Sequence, residues 1–233
     1  MRFAKSHALI TLIGLLTATA IAHGHGDVAP QPVNTDALPD VGEEWLEENP
    51  YRAEKVGEAT WQAAIDIGAS GYNQNCARCH GLGAVSGGLA PDLRYLEAEI
   101  DGDEWWVERF VHGYTQNGTT KMPAFGDLLG QKASWAIRTY VETRPDEGAL
   151  DDHNDRLKEV RDLLANWSTA GDNQPETEAI VKELADIAVT IETGSGAPVA
   201  DSVAFRASRQ IDGTSASYKL AAETLTIGLS AAQ

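Results

Sequence analysis

Apolar positions along this chain of 233 residues recur mostly at intervals of three and four, the spacing that lays a stripe along one face of an α-helix. Trp61, Ala64, Ile65 and Gly68 predict a helix that starts at Gly57, is clearest to Ile67 and runs on to Tyr72. Asp103 reads as the N-cap of a second helix, through Trp106, Phe110 and Val111. Trp135, Ile137, Tyr140 and Val141 predict a third over residues 134–143, closed by Pro145. Further on, Leu157, Val160, Leu163, Leu164 and Trp167 mark one stripe, and Ile180, Leu184, Ile187 and Ile191 another. After a Gly-Ser-Pro break at residues 194–198, two more groups follow: Val199, Val203 and Ile211, then Tyr218, Leu220, Leu225 and Leu229. No run alternates in the manner of a strand, so the expected class is all-α. Residues 81–88, rich in glycine, and the stretch from Gln116-Asn117-Gly118 onward read as loops. Residues 23–52 carry Pro30, Pro32, Pro39 and Pro50 with scattered apolar positions, which predicts an extended arm on the surface.

The amino terminus follows a different rule. Arg2 and Lys5 precede an apolar run over residues 8–16, and Ala20-Ile21-Ala22 offers the small residues of a cleavage site. Residues 1–22 are therefore expected to be a signal peptide that exports the protein to a bacterial periplasm. The run is shorter than the ~20 residues of a spanning helix, and no later stretch is long enough, so no stable membrane insertion is expected. The remaining chain divides into an arm (23–56), a unit holding the chemistry described next (57–146) and a helical C-terminal extension (147–233).

Composition narrows the function classes. The formal charge is -17, with 35 acidic against 18 basic residues, which argues against nucleic-acid binding because that needs clustered Lys and Arg. Removing residues 1–22 takes away two basic and no acidic side chains. Only two cysteines are present, so a framework of several disulfides is excluded.

Their spacing is informative. Cys76-Ala77-Arg78-Cys79-His80 is C-x-x-C-H, the pattern of c-type haem attachment. Two thiols three residues apart on a helical turn reach the two vinyl groups of one porphyrin, and the next residue offers an imidazole to the iron. A thioredoxin-type redox pair would not need His80 and belongs in a βαβ context. Half a zinc site would need a second ligand pair, for which no cysteine remains. One covalently attached haem c is the expected cofactor, with His80 as the first axial ligand. Met122 is the one methionine left after Met1, and in Thr120-Lys121-Met122-Pro123-Ala124-Phe125 it is the candidate second ligand, with a gap-filling core methionine as the competing reading. His112 and His153 are alternative ligands, the first on a predicted helix and the second in a polar stretch.

With these residues in view, positions 57–145 resemble a class I cytochrome c. Gly68 and Tyr72 stand eight and four positions before Cys76, where that family has the glycine and aromatic of its first helix, and Ile137 and Tyr140 match its closing helix. The resemblance implies that those two helices cross closely and that Ala90-Pro91-Asp92-Leu93 follows the haem loop. On that analogy the Pro91 carbonyl orients His80, and Tyr72, Pro91 and Leu93 belong to the haem surroundings. The expected architecture is a class I cytochrome c fold with an additional helical C-terminal region. In the arm, residues 23–28, 32–35, 38–39 and 49–52 resemble the periplasmic cytochrome c-550 type that accepts electrons from quinoprotein (PQQ-dependent) alcohol dehydrogenases. The extension beyond residue 150 departs from that type.

The leading functional reading is a one-electron carrier, not an enzyme. The resemblance implies a quinoprotein alcohol dehydrogenase as donor, and a terminal oxidase or another cytochrome is the expected acceptor. The alternatives are a haem-binding subunit of a larger dehydrogenase, and a haem enzyme or gas sensor with an open distal site. Residues 23–146 hold 20 acidic against 9 basic side chains, so a partner basic around its electron exit is expected, with Arg78 and Lys121 the cations near the haem edge by sequence neighbourhood. Cleavage after Ala22 would also place His23-Gly24-His25 at the mature terminus, a pattern suited to Cu(II).

Overall fold

The computed structural model describes residues 29–200 and 202–231. Residues 1–22, expected to be a signal peptide, and the His23 and His25 positions lie outside the described residues. The elements run in chain order α1 (Ala53–Val56), α2 (Glu58–Asn75), α3 (Ala77–His80), α4 (Ile100–His112), β1 (Tyr114–Gln116), β2 (Thr119–Met122), α5 (Gly126–Glu142), α6 (Asn154–Ala170), α7 (Thr177–Ala188), α8 (Val203–Gln210) and α9 (Ser215–Ala231). No helix among the described residues is long and apolar enough to cross a membrane.

The frame around the cysteines is the crossing of α2 on α5. Trp61, Ala64, Ile65, Gly68 and Tyr72 form the buried face of α2, as their spacing predicts. At the crossing the Gly68 backbone lies so near the Ala136 carbonyl that an added Cβ would sit 1.9 Å from its oxygen. One helical turn on, the Tyr72 and Tyr140 rings meet at 5.4 Å between centroids. This contact fixes the end of α2, from which Cys76 and the single turn of α3 continue.

Four expectations need correction. Asp103 is not an N-cap: α4 begins one turn earlier, after Glu99. Asp103 is instead fully buried and accepts from the Asn49 backbone N–H (2.8 Å), Arg52 (2.9 Å) and Arg138 (3.0 Å). A carboxylate near a helix start looks alike in sequence whether it caps the helix or pairs with distant cations. The arm, in turn, is irregular but not superficial. Leu38, Asn49 and Tyr51 are buried, Asn49 donates to Thr139 and Glu142 of α5, and Arg52 reaches Glu142 at 2.9 Å. Finally, the stretch expected as loop after Gln116 is a two-stranded antiparallel hairpin. Asn117 (φ 51°) and Gly118 (φ 75°) supply the two left-handed residues that such a tight turn requires. The closing helix also starts earlier than its apolar stripe, at Gly126, with a break in helical geometry at Gly130.

Helices α6 to α9 build a second core, from Leu157, Val160 and Leu164 of α6 to Tyr218, Leu225 and Leu229 of α9. Between α7 and α8 the chain returns to the first unit. Asp146 N–H donates to the Glu192 carbonyl at 3.0 Å, Ala98 N–H to the Ser195 carbonyl at 2.9 Å, and Ala200 is buried within the core of the first unit.

Substitution Gly68→Ala tests the helix crossing. It drives a methyl into backbone that cannot yield without separating α2 from α5. The expected loss of stability is about 2–3 kcal/mol, measured as the denaturant midpoint of the haem-loaded protein.

Candidate functional site

One cavity of about 440 Å³ is bounded by the residues that the sequence singles out, within the roughly 300–1,000 Å³ of small-molecule pockets. Cys76, Cys79 and His80 line one part of it, Pro91 and Leu93 another, and Trp105, Trp106, Arg109 and Phe110 of α4 a third. Tyr114, Lys121 and Met122 of the hairpin and Phe125 complete the wall.

Each piece is placed by a distinct contact. The α3 turn starts where Cys76 N–H donates to the Tyr72 carbonyl at 2.8 Å, and the Tyr72 hydroxyl donates to the Gly81 carbonyl at 2.8 Å just beyond it. The glycine-rich loop is thereby pinned at its base, and Arg144 holds it again through the Gly83 carbonyl at 3.1 Å. His80 is buried, and its Nδ1 lies 3.0 Å from the Pro91 carbonyl oxygen. A proton on Nδ1 donated there leaves Nε2 with its lone pair, the form that binds a metal. The Trp106 indole N–H donates to Ser134 at 3.0 Å and so ties α4 to α5. The Phe125 N–H donates to the Phe110 carbonyl at 2.8 Å. That bond closes the loop between α4 and α5, so the hairpin presents Met122 from a fixed base.

The cavity's chemistry fits a haem. Its wall is mostly apolar, with Leu93, Trp106, Phe110 and Phe125 buried around it. The charged lining residues are Arg78, Arg109 and Lys121, with no carboxylate among them. A chain of net charge -17 has thus placed only cations where a planar apolar ligand bearing two carboxylates would need them. Arg109 extends from α4 over the rings of Trp105 (5.6 Å) and Tyr114 (5.0 Å), linking helix to hairpin by cation–π contact. Burial pushes the Cys76 thiol up to about 12. A redox pair of the thioredoxin type needs a lowered thiol pKa, so this environment speaks against that use of C-x-x-C.

The structure thus brings Cys76, Cys79, His80, Pro91, Leu93 and Met122 to one cavity. Tyr72 stands behind it, packed on Tyr140 and bonded to Gly81. The alternative ligands lie elsewhere: His112 is exposed at the end of α4, and the His153 Nε2 pairs with Thr190 Oγ1 at 2.9 Å in the C-terminal unit. Sequence reasoning missed Trp105, Arg109 and Tyr114. The spacing of Trp105 and Arg109, four apart on α4, puts them on one face, but a mixed aromatic and cationic pair reads as surface until the hairpin is known to lie beside it.

Comparison with known proteins supplies the wider context. Residues 63–141 match the family model described as cytochrome c oxidase, cbb3-type, subunit III. The chain is 50% identical over 135 residues to cytochrome c550 of Pseudomonas aeruginosa, a match covering 58% of this chain and 90% of that protein. It is 35% identical over 82 residues to the quinohemoprotein alcohol dehydrogenase ADH-IIG of Pseudomonas putida, covering 35% of this chain and 11% of that one. It is 33% identical over 93 residues to the cbb3-type cytochrome c oxidase subunit FixP of Rhizobium meliloti, covering 34% and 30%. No solved structure matches the chain.

Substitution Met122→Ala tests Met122 as an iron ligand beside His80: if it is one, the haem-loaded variant should lose the low-spin spectrum of a methionine-ligated iron. The reduction potential should fall, because water or a harder ligand replaces a thioether that favours Fe(II). Carbon monoxide should bind the variant and not the parent. A variant spectrum and potential equal to those of the parent would remove Met122 from the iron.

Proposed function

The chain belongs to the cytochrome c550 family, and from that premise we propose that it is a periplasmic carrier that takes single electrons from a quinoprotein alcohol dehydrogenase and passes them toward a terminal oxidase. Membership makes it a c-type cytochrome, with covalently bound haem c, that transfers electrons rather than turning over a substrate.

The observation that carries the reading is the presence of His80 and Met122, from separate elements, on the wall of one cavity. We assign them as the two axial ligands, with Cys76 and Cys79 as the thioether attachments. His80 and Met122 would hold the iron in both oxidation states, so that little reorganisation would accompany electron transfer, and the Met122 thioether would favour a high potential. The protein's part is ligation, burial and a face for exchange. Among the described residues, none from 147 onward lines the cavity. The sequence matches support the two ends of the route: a segment similar to this haem unit occurs within a quinohemoprotein alcohol dehydrogenase and within a cbb3-type oxidase subunit. Export to the periplasm rests on the signal-like residues 1–22.

Electrostatics enters in two layers. The surface as a whole is acidic, while the cavity wall adds Arg109 to the two cations expected from sequence neighbourhood. In this reading the three cations answer the haem carboxylates, and the acidic exterior steers the approach of a basic partner surface.

Stopped-flow mixing of the oxidised protein with a purified, alcohol-reduced quinoprotein dehydrogenase tests the proposal. Second-order reduction is expected, slowing several-fold as salt rises from about 20 to about 300 mM and shortens the reach of the surface charge. Absence of reduction at any salt would remove the proposed donor. A rate that stays flat or rises with salt would remove steering and leave the exposed apolar rim, Leu89 and Trp105, as the docking determinant.

A further inference from the structure

The segment that carries Pro91 lies between the haem cavity and the C-terminal unit. On its inner side Pro91 and Leu93 line the cavity, and the Pro91 carbonyl meets His80. Immediately after it, the Asp92 carboxylate accepts from Arg94 Nε (3.0 Å), Arg94 Nη2 (2.8 Å) and the Ser86 N–H (3.2 Å). Arg94 is itself 5% exposed, and its Nη1 donates to the Pro145 carbonyl at 3.3 Å. The guanidinium therefore joins the residue that follows Pro91 to the chain just past the end of α5.

On the outer side stands the loop between α7 and α8. A Cβ added to Gly194 would sit 2.7 Å from Cδ1 of Tyr95 and 3.1 Å from the Arg94 carbonyl oxygen, so the loop backbone rests directly on this segment. Ser195 accepts from Ala98 N–H through its carbonyl at 2.9 Å and donates its hydroxyl to the Glu142 carbonyl. Pro145 and Thr193 form an isolated antiparallel bridge.

We propose that the C-terminal unit is a brace on the His80 side of the haem, in which residues 193–200 and Arg94 fix the segment bearing the Pro91 carbonyl, so that contacts outside the haem cavity set the iron's potential. Arg94 and Gly194 are positioning residues. The inference rests on His80 being an iron ligand. A firm hydrogen bond from Nδ1 to the Pro91 carbonyl makes the imidazole a stronger donor, which favours Fe(III). Loosening that bond weakens the donor and raises the potential. The match to the cytochrome c550 relative takes up 58% of this chain and 90% of that protein, which leaves that relative little length for a second unit.

The test uses the full-length, haem-loaded protein and the variants Gly194→Ala, Arg94→Gln and Arg94→Lys, with the exposed Lys219→Gln of α9 as control. Redox titration gives the potential, and proton NMR gives the solvent-exchange rate of the His80 Nδ1 proton. Gly194→Ala, which alters only the C-terminal side of the contact, and Arg94→Gln are each expected to shift the one-electron equilibrium toward Fe(II) by about three- to tenfold. That is about 30–60 mV at ~59 mV per tenfold, accompanied by faster exchange of the Nδ1 proton. Arg94→Lys, which keeps the charge but not the forked geometry, should fall between Arg94→Gln and the parent, and Lys219→Gln should not move either reading. Variants that lose thermal stability yet keep the parental potential and exchange rate would overturn the proposal, leaving a purely structural contact. Should Gly194→Ala fail to fold, the two Arg94 variants decide it by the same readings. Failure of the underlying ligation reading shows separately, as a parent protein whose NMR spectrum lacks a paramagnetically shifted imidazole.

Discussion

Backbone meets backbone where α2 crosses α5, and the position of the cysteines follows from that contact. A glycine at residue 68 is what allows it, because any side chain there would collide with the Ala136 carbonyl. Interiors pack at near-crystalline density, so a displacement at the crossing has no slack in which to disappear. It would pass along the last two turns of α2 to Cys76, and from there to His80. The aromatic pair Tyr72 and Tyr140 and the bond from Tyr72 to Gly81 reinforce the same geometry from the other side of the turn.

A second constraint is electrostatic and lies away from the haem cavity. Asp103, Arg138 and Glu142 are buried together, with Arg52 of the arm partly buried beside them. The two cations pair with the two carboxylates, and Asn49 donates to Asp103, to Glu142 and to Thr139 beside them. Such a cluster adds little net stability, but removing one member leaves an uncompensated buried charge, at a cost of about 3–5 kcal/mol. Its consequence is specificity of place: the irregular arm can pair its Arg52 correctly in only one position against α4 and α5. An acidic protein thus keeps its interior charge balanced while the excess stays outside.

How much of this was legible in the sequence depends on how local each cause is. The C-x-x-C-H turn and the main helical stripes are set by residues within a few positions of one another, and pattern reveals them. Pro91 was placed opposite His80 by resemblance alone, since nothing local ties two residues eleven apart. Asp103 was misread because capping and burial against Arg138 draw on the same side-chain chemistry, and only a partner 35 residues away decides between them. The arm reads as superficial because buried Asn49 and partly buried Arg52 are polar, and polarity hides burial when the partners are unknown. The hairpin carried a recognisable Asn-Gly signal, but its strands have three and four residues, too few for alternation to register.

The route of the chain through the C-terminal unit bears on how the molecule moves. The chain leaves the haem unit after α5, forms α6 and α7, comes back to touch Ala98, Thr143 and Asp146, and departs again as α8 and α9. These return contacts, added to the covalent link after α5, oppose the swivel that a linker alone would permit. The two units should therefore tumble and collide as one body, and a partner that docks on either meets the drag and the charge of both.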